Sequence, residues 1–189
     1  MKLYGSYTSP YVRHVRIVLQ ETQQPYEFIE TDHAGSSAKS PTKRVPFLED
    51  GDLFLTDSTS IIQHLRTKAG QDFCRSAREL DQFCMVNTAL DTTLNLFLLK
   101  RDGVAVTELP YLQRQLARVQ TILKELEQSG ITTAPSDGPY TDAQLRLACF
   151  MGWSLFREQL DFSGYGNLEG FYRQIGQYAP FAATHPPSS

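Results

Sequence analysis

Residues 1–21 read MKLYGSYTSPYVRHVRIVLQE, and everything that follows turns on the passage through Thr8-Ser9-Pro10-Tyr11. The run from Lys2 to Ser6 suits a strand. From Pro10 to about Thr22, Tyr11, Val12, Val15, Val18 and Leu19 recur at helical spacing, with Arg13, Arg16 and Gln20 available for the wet face. Proline is tolerated at the first helical position because the N–H it lacks would be unpaired there, and serine is favoured just before it. Ser9 therefore caps a helix. At such a strand-to-helix step, backbone N–H groups and the positive end of the helix dipole converge, which is what an anion site requires. Taken alone, Ser9 is a cap and nothing more.

Tyr26 to Thr31 is a second strand, parallel to the first by the right-handed crossover rule. The polar stretch His33 to Thr42 suggests one irregular helical turn. Val45-Pro46-Phe47-Leu48 and Leu53-Phe54-Leu55 flank Asp50-Gly51 as a hairpin, and Asp57-Ser58 opens a helix with Ile61, Ile62 and Leu65 as its buried stripe. The order β-α-β-(α)-β-β-α is that of a thioredoxin-like domain. From about Ser76 the pattern is helical only. Ala77 to Lys100 carries Leu80, Phe83, Cys84, Leu90, Leu94, Phe97 and Leu98; Glu108 to Gln128 carries Leu112, Leu116, Val119, Ile122, Leu123 and Leu126. A third helix is announced by Tyr140-Thr141-Asp142-Ala143-Gln144-Leu145, which reads as a capping box with a hydrophobic staple. The expected fold class is α/β + all-α: a thioredoxin-like domain over residues 1–70, then an all-helical domain over 76–189. The join is Ala69-Gly70-Gln71-Asp72, and the tail His185–Ser189 is expected to fray.

With 41% hydrophobic residues in a chain of 189, the composition supports a large core. A net charge of −3 and four scattered histidines argue against a nucleic-acid surface, and no apolar run approaches the roughly 18 residues of a membrane span. The apolar segment after Lys2 is too short for a secretory signal, so a cytoplasmic location is expected. Cys74, Cys84 and Cys149 form no C-x-x-C pair and have no metal-ligand spacing with histidine; they read as free, mostly buried thiols, and no metal is expected.

Ser9-Pro10-Tyr11 after the first strand, Val45-Pro46 opening the hairpin and Asp57-Ser58 opening the last helix of the α/β half together resemble the glutathione S-transferase family, as does the helical half with its capped helix at Thr141. The segment SPYVRHVRI looks most like bacterial and plant-type members whose active residue is serine or cysteine. The resemblance implies glutathione as co-substrate. Redox members of the thioredoxin-like fold place C-P-Y-C or a similar pair where this chain has Ser9-Pro10-Tyr11-Val12, so dithiol exchange is not open to it here, whereas a hydroxyl at a helix N-terminus can donate to a sulfur anion brought by the ligand. Ser9 is the implied catalytic residue, with Tyr7 and Thr8 as alternative hydroxyls. The resemblance further implies a cis bond at Val45-Pro46, Val45 offering its backbone to the cysteinyl part of the tripeptide, Asp57 and Ser58 at the γ-glutamyl carboxylate, and Arg44 facing the glycyl carboxylate. Where the family has Asn-Pro-x-Gly-Lys, this chain reads Ser40-Pro41-Thr42-Lys43-Arg44, placing Lys43 where a glycine eases the turn.

The implied activity is transfer of an alkyl or aryl group: glutathione thiolate attacks a small electrophile, in detoxification, within a homodimer. The electrophile is expected between the domains, near Tyr7, Tyr11, Leu98, Tyr111, Phe150 and Trp153. Apolar surface on Phe54, Ile61 and the long helix from Ala77 is the sequence's own argument for the dimer. The rival expectation is a non-catalytic, family-shaped interaction protein, for which the altered loop at Lys43 is the argument.

Overall fold

Strand β1 (Lys2–Gly5) gives way, after the turn Ser6–Ser9, to helix α1 (Pro10–Glu21), which carries Pro10 in its first turn and Ser9 as N-cap. The computed structural model describes residues 1–133, 135 and 139–187; Ser188 and Ser189 of the expected frayed tail lie outside the described residues. Strand β2 (Glu27–Glu30) runs parallel to β1 with Phe28 opposite Leu3. Helix α2 (His33–Lys39) occupies the stretch expected to hold one irregular turn. Its glycine and serines weaken the helix signal, but Asp32 caps it by accepting from the Gly35 N–H at 2.7 Å. Strands β3 (Phe47–Asp50) and β4 (Leu53–Leu55) form the hairpin, with Gly51 in the left-handed region at φ 62°, and helix α3 (Ser58–Lys68) follows. The sheet order is β2-β1-β3-β4, with β1 antiparallel to β3 and β3 to β4.

One face of this sheet meets both long helices. Leu3 and Leu48 pack with Val15, Val18 and Leu19 of α1 and Ile61, Ile62 and Leu65 of α3 in a core closed to water. Burying each such side chain is worth roughly 1.5–3 kcal/mol before entropy is counted. On the opposite face Tyr4 stacks on Phe47 at 4.5 Å and donates its hydroxyl to Glu49 Oε2 at 3.0 Å. Ile61 is thus part of the N-terminal core and contributes no surplus apolar surface.

The remaining elements are helical: α4 (Ala77–Arg101), α5 (Pro110–Gln128), α6 (Asp142–Phe156), α7 (Gly166–Ile175) and α8 (Ala179–Ala183). The chain is therefore a thioredoxin-like α/β domain followed by a helical one. In α4 the buried positions are Phe83, Val86, Ala89, Leu90, Thr93 and Leu96. Leu80 and Cys84, assigned to that stripe from the sequence, lie off the buried face and are exposed. The expectation of mostly buried thiols is corrected accordingly: Cys149 is buried, Cys74 half-buried and Cys84 exposed. Helix α6 is buried on all sides from Asp142 to Ser154. Its capping box forms as expected, Thr141 Oγ1 accepting from Gln144 N–H at 3.2 Å and Gln144 Oε1 accepting from Thr141 N–H at 3.0 Å.

The chain divides into Met1–Phe73 together with the segment from Gly176 onward, and Cys74–Ile175. This departs from an all-helical domain running to residue 189. The terminal segment is helical in its local sequence but joins the α/β unit, because α8 lies on α1, where Arg13 donates to the Phe181 carbonyl at 2.9 Å.

Candidate functional site

Ser9 sits at the end of the first turn of chain after β1, in extended conformation (φ −77°, ψ 127°). Its N–H donates to the Ser6 carbonyl at 3.1 Å, its carbonyl accepts from the Arg13 N–H at 3.0 Å, and its Oγ accepts from the Val12 N–H at 3.3 Å. A hydroxyl that accepts one hydrogen bond still has its own proton to donate. Ser9 thus combines a hydroxyl able to donate with the positive end of a helix of 12 residues.

The path from β1 into α1 is narrow. A Cβ on Gly5 would lie 2.6 Å from Val12 Cγ1 and 2.7 Å from Cγ2, so the backbone of β1 rests directly on the first turn of α1. Only glycine allows that approach. The side chain of Val12 thereby positions the turn that Ser9 caps.

The register brings the other motifs to the same end of the sheet. Tyr4 pairs with Phe47 and Leu48 with Leu55, both antiparallel, so the residues after Gly5, before Phe47 and after Leu55 emerge together. These are Ser9, Arg44-Val45-Pro46 and Asp57-Ser58. The Val45-Pro46 peptide bond is cis. Pro46 is buried and Val45 half-buried. Asp57 is the N-cap of α3, accepting from the Thr59 N–H through Oδ1 at 2.7 Å. Ser58, the first helical residue, is buried. Arg44 is exposed. Before it, Lys43 adopts φ 53°, the left-handed conformation that favours glycine, and donates its N–H to the Ser40 carbonyl at 2.9 Å. The turn is kept without the glycine.

The alternative hydroxyls have different surroundings. The Tyr7 ring lies against Phe28 of β2 at 4.6 Å, with the Arg16 guanidinium 4.8 Å above it. That is the β2 side of β1, away from β3 and the cis proline. Thr8 Oγ1 shares a hydrogen bond with Ser6 Oγ at 3.1 Å. In the helical unit, Phe150 and Trp153 are buried within α6, Trp153 meeting Phe97 edge-on at 5.6 Å, while Leu98 is half-buried and Tyr111 is exposed. Tyr11 is half-buried in α1. Among the described residues no cluster of three or more metal-ligating side chains occurs.

Arg13, whose charge and spacing predict the wet face of α1, is 3% exposed. Its guanidinium stacks 3.8 Å from the centroid of Phe181. No local pattern signals this, since the residue that buries it lies 168 positions along the chain. Burial pushes the Cys74 thiol up to about 12, with Glu79 and Asp142 adding to the shift.

Residues 3–73 match the family model described as glutathione S-transferase, N-terminal domain. Among curated proteins, glutathione S-transferase 4 of Zea mays is 34% identical over 98 residues, covering 48% of this chain and 44% of that protein. A probable glutathione S-transferase, GSTF2, of Oryza sativa subsp. japonica is 32% identical over 104 residues, covering 51% and 48%. The matched region thus spans just under half the length of these relatives. Among solved structures, a glutathione transferase family member from Pseudomonas fluorescens Pf-5 with bound glutathione superposes with a TM-score of 0.85 at 22% identity, over 99% of both chains. A glutathione S-transferase from Methylobacillus flagellatus KT, also with glutathione bound, gives 0.83 at 22% identity over 98% of this chain and 99% of that one. At these identities the likeness is one of fold.

Proposed function

We propose that this chain, whose residues 3–73 match the glutathione S-transferase N-terminal domain, binds glutathione at the sheet end bearing Ser9 and activates its thiol for attack on a small electrophile. The observation that carries this is the convergence of the capped helix N-terminus at Ser9 with Val45-Pro46 and the cap of α3 at Asp57-Ser58 on one end of the sheet. Val45 presents its backbone to the cysteinyl part, Pro46 holds that backbone in place, Asp57 and Ser58 take the γ-glutamyl end, and Arg44 faces the glycyl carboxylate.

A free thiol has a pKa near 8.5, so most of it is protonated at neutral pH; each unit of lowering corresponds to about 1.4 kcal/mol of preferential thiolate binding. A hydrogen bond from Ser9 Oγ together with the dipole of α1 is of the size to supply one or two units. The thiol proton leaves to solvent, the sulfur lone pair forms the new bond to carbon, and a halide ion departs or an epoxide C–O bond opens, its oxygen taking a proton from solvent. Ser9 has no sulfur of its own, so it forms no mixed disulfide, and conjugation rather than thiol transfer is the accessible step. The reading extends to a homodimer in the cytoplasm with a role in detoxification. The rival reading is a non-catalytic interaction protein, for which the altered loop at Lys43 is the argument.

Glutathione binding is tested by thermal unfolding: at about 100 times its dissociation constant the ligand adds about 2.7 kcal/mol, a rise in Tm of roughly 5–10 °C for a chain this size. No shift at millimolar glutathione favours the interaction protein. In Ser9→Ala the bound thiol titrates higher with binding little changed; in Ser9→Cys treated with glutathione disulfide, the new thiolate displaces one glutathione thiolate, a glutathionyl adduct appears by mass spectrometry, and conjugation of an aryl halide falls. A Ser9→Cys protein that never forms the adduct places the sulfur elsewhere.

A further inference from the structure

Helix α8 spans five residues, too few to persist by itself, so its place is set by what it touches. Three side chains of α1 hold it. Arg13 donates through Nη2 to the Phe181 carbonyl at 2.9 Å and through Nε to Thr184 Oγ1 at 3.5 Å, with its plane over the Phe181 ring. Arg16 donates to the Thr184 carbonyl at 3.5 Å. At the far end of α1, Glu21 accepts from the Tyr178 hydroxyl through Oε1 at 2.7 Å and pairs through Oε2 with Arg66 of α3 at 2.7 Å, both ion-pair side chains being 6% exposed. The segment Tyr178–Thr184 is therefore joined near both ends of α1 and, through Glu21, to α3. Ser9 and Asp57-Ser58 stand at the opposite ends of these two helices.

We propose that Tyr178–Thr184 is a positioning strap: through Arg13 and Glu21 it fixes the direction of α1, and with it the line along which the Ser9 hydroxyl meets the glutathione sulfur. This rests on the assignment of Ser9 made above. The leverage is geometric. A helix of 12 residues is about 18 Å long, so a tilt of about 10° at the Glu21 end moves Ser9 by about 3 Å. Productive placement of an activating group tolerates only about 0.5 Å. Arg13 is one turn from Ser9, and its own N–H closes that turn on the Ser9 carbonyl. Its guanidinium is held by a carbonyl, a hydroxyl and a ring face, none of them an anion. An apolar side chain would cover Phe181 at a lower desolvation cost; what Arg13 adds is two directional hydrogen bonds from a planar fork, which set distance and angle. Arg13, Glu21 and Tyr178 are positioning residues acting through α1.

The test titrates the thiol of bound glutathione by ultraviolet absorbance in the wild type, Ser9→Ala, Arg13→Lys and Tyr178→Phe, with glutathione affinity measured by calorimetry in each. Tyr178→Phe removes one hydroxyl and leaves every charge in place, and it is the decisive variant if Arg13→Lys does not fold. The strap predicts a raised thiol pKa in both variants. For Arg13→Lys the rise is about one unit, about tenfold less thiolate at a pH below the pKa, while the affinity for the protonated tripeptide stays within about threefold. Lysine keeps the charge but not the fork, so full wild-type titration in Arg13→Lys assigns the effect to charge and overturns the role of Arg13. A Tyr178→Phe thiol that titrates as in the wild type, whether or not affinity falls, overturns the strap. Identical titration of Ser9→Ala and wild type is a separate outcome: it removes the assignment of Ser9, and the strap with it.

Discussion

Gly5 and Val12 show how little room separates the first strand from the cap that follows. Their approach leaves no space for a methyl group, since the nearest atoms would stand 2.6 Å from a Cβ and belong to a β-branched side chain with little rotamer freedom. Gly5→Ala is expected to destabilise the N-terminal unit by about 1–3 kcal/mol, as overpacking does, and to displace the first turn of α1. Chemical denaturation measures the first effect, and loss of glutathione-induced stabilisation the second. A variant with wild-type stability and ligand response would mean that α1 can slide away from β1 freely. Lys43 makes the opposite point: its φ of 53° is one that glycine adopts without strain, yet the chain tolerates lysine there.

At the scale of elements, helix starts matter most. Helix α7 follows Tyr165, which offers no short side-chain acceptor for its first N–H groups. Glu127, at the end of α5, supplies it from a distance: its carboxylate accepts from the Asn167 N–H at 2.8 Å and the Leu168 N–H at 3.0 Å. An anion on a helix N-terminus is favourable through both hydrogen bonds and dipole. Glu127→Ala should cost about 1–2 kcal/mol and increase amide exchange in the first turn of α7 before that of α6. Equal exchange in the two proteins would leave Glu127 without this role. In the α/β unit the hairpin is tied to α3 by Asp50, whose Oδ2 lies 2.7 Å from Lys68 Nζ and 2.9 Å from His64 Nε2. The hydrogen bond from Lys68, then that from His64, holds the Asp50 carboxyl below its ordinary value. A depressed carboxylate contributes stability at pH values above the unfolded pKa near 3.9, and that contribution is lost as pH falls through the folded value. Asp50→Asn is therefore expected to lower stability at neutral pH and to flatten its decline below about pH 4. Denaturation midpoints from pH 2 to 7 check this; parallel curves would argue against it.

For the whole molecule, the α/β unit and the helical unit each have their own core, and no helix among the described residues is long and apolar enough to cross a membrane. The homodimer belongs to the proposed function. Ile61 no longer argues for it, being fully buried, but Leu53 and Phe54 on the edge strand β4 are each 40% exposed and Leu80 on α4 is 43% exposed. Apolar side chains at a sheet edge are ordinarily covered or blunted. Light scattering at micromolar concentration should give about twice the chain mass of 21.4 kDa, and Phe54→Glu should shift the protein toward monomer. A wild type that is monomeric under these conditions rules the dimer out.

The local pattern alone determined the strands, the hairpin, the caps at Ser9, Asp57 and Thr141 and the helices α1, α3, α4, α5 and α6, because each is specified within a few residues by side-chain period, cap chemistry and turn chemistry. It also determined that Ser9 stands at a helix start with no sulfur beside it. The sequence left open what sat on each helix face. The stripe of α4 was misplaced because Leu80 and Cys84 are as apolar as their buried neighbours, and only the packing partners choose between two faces. Helices α7 and α8 were not foreseen, the first being capped by Glu127 and the second held by α1, both from outside their own segments. Arg13 looked like a surface residue, because a charged side chain is read as exposed until a carbonyl, a hydroxyl and a ring are found to surround it. Those groups come from the opposite end of the chain, and contacts of that separation leave no periodic trace; tertiary structure alone brings them together.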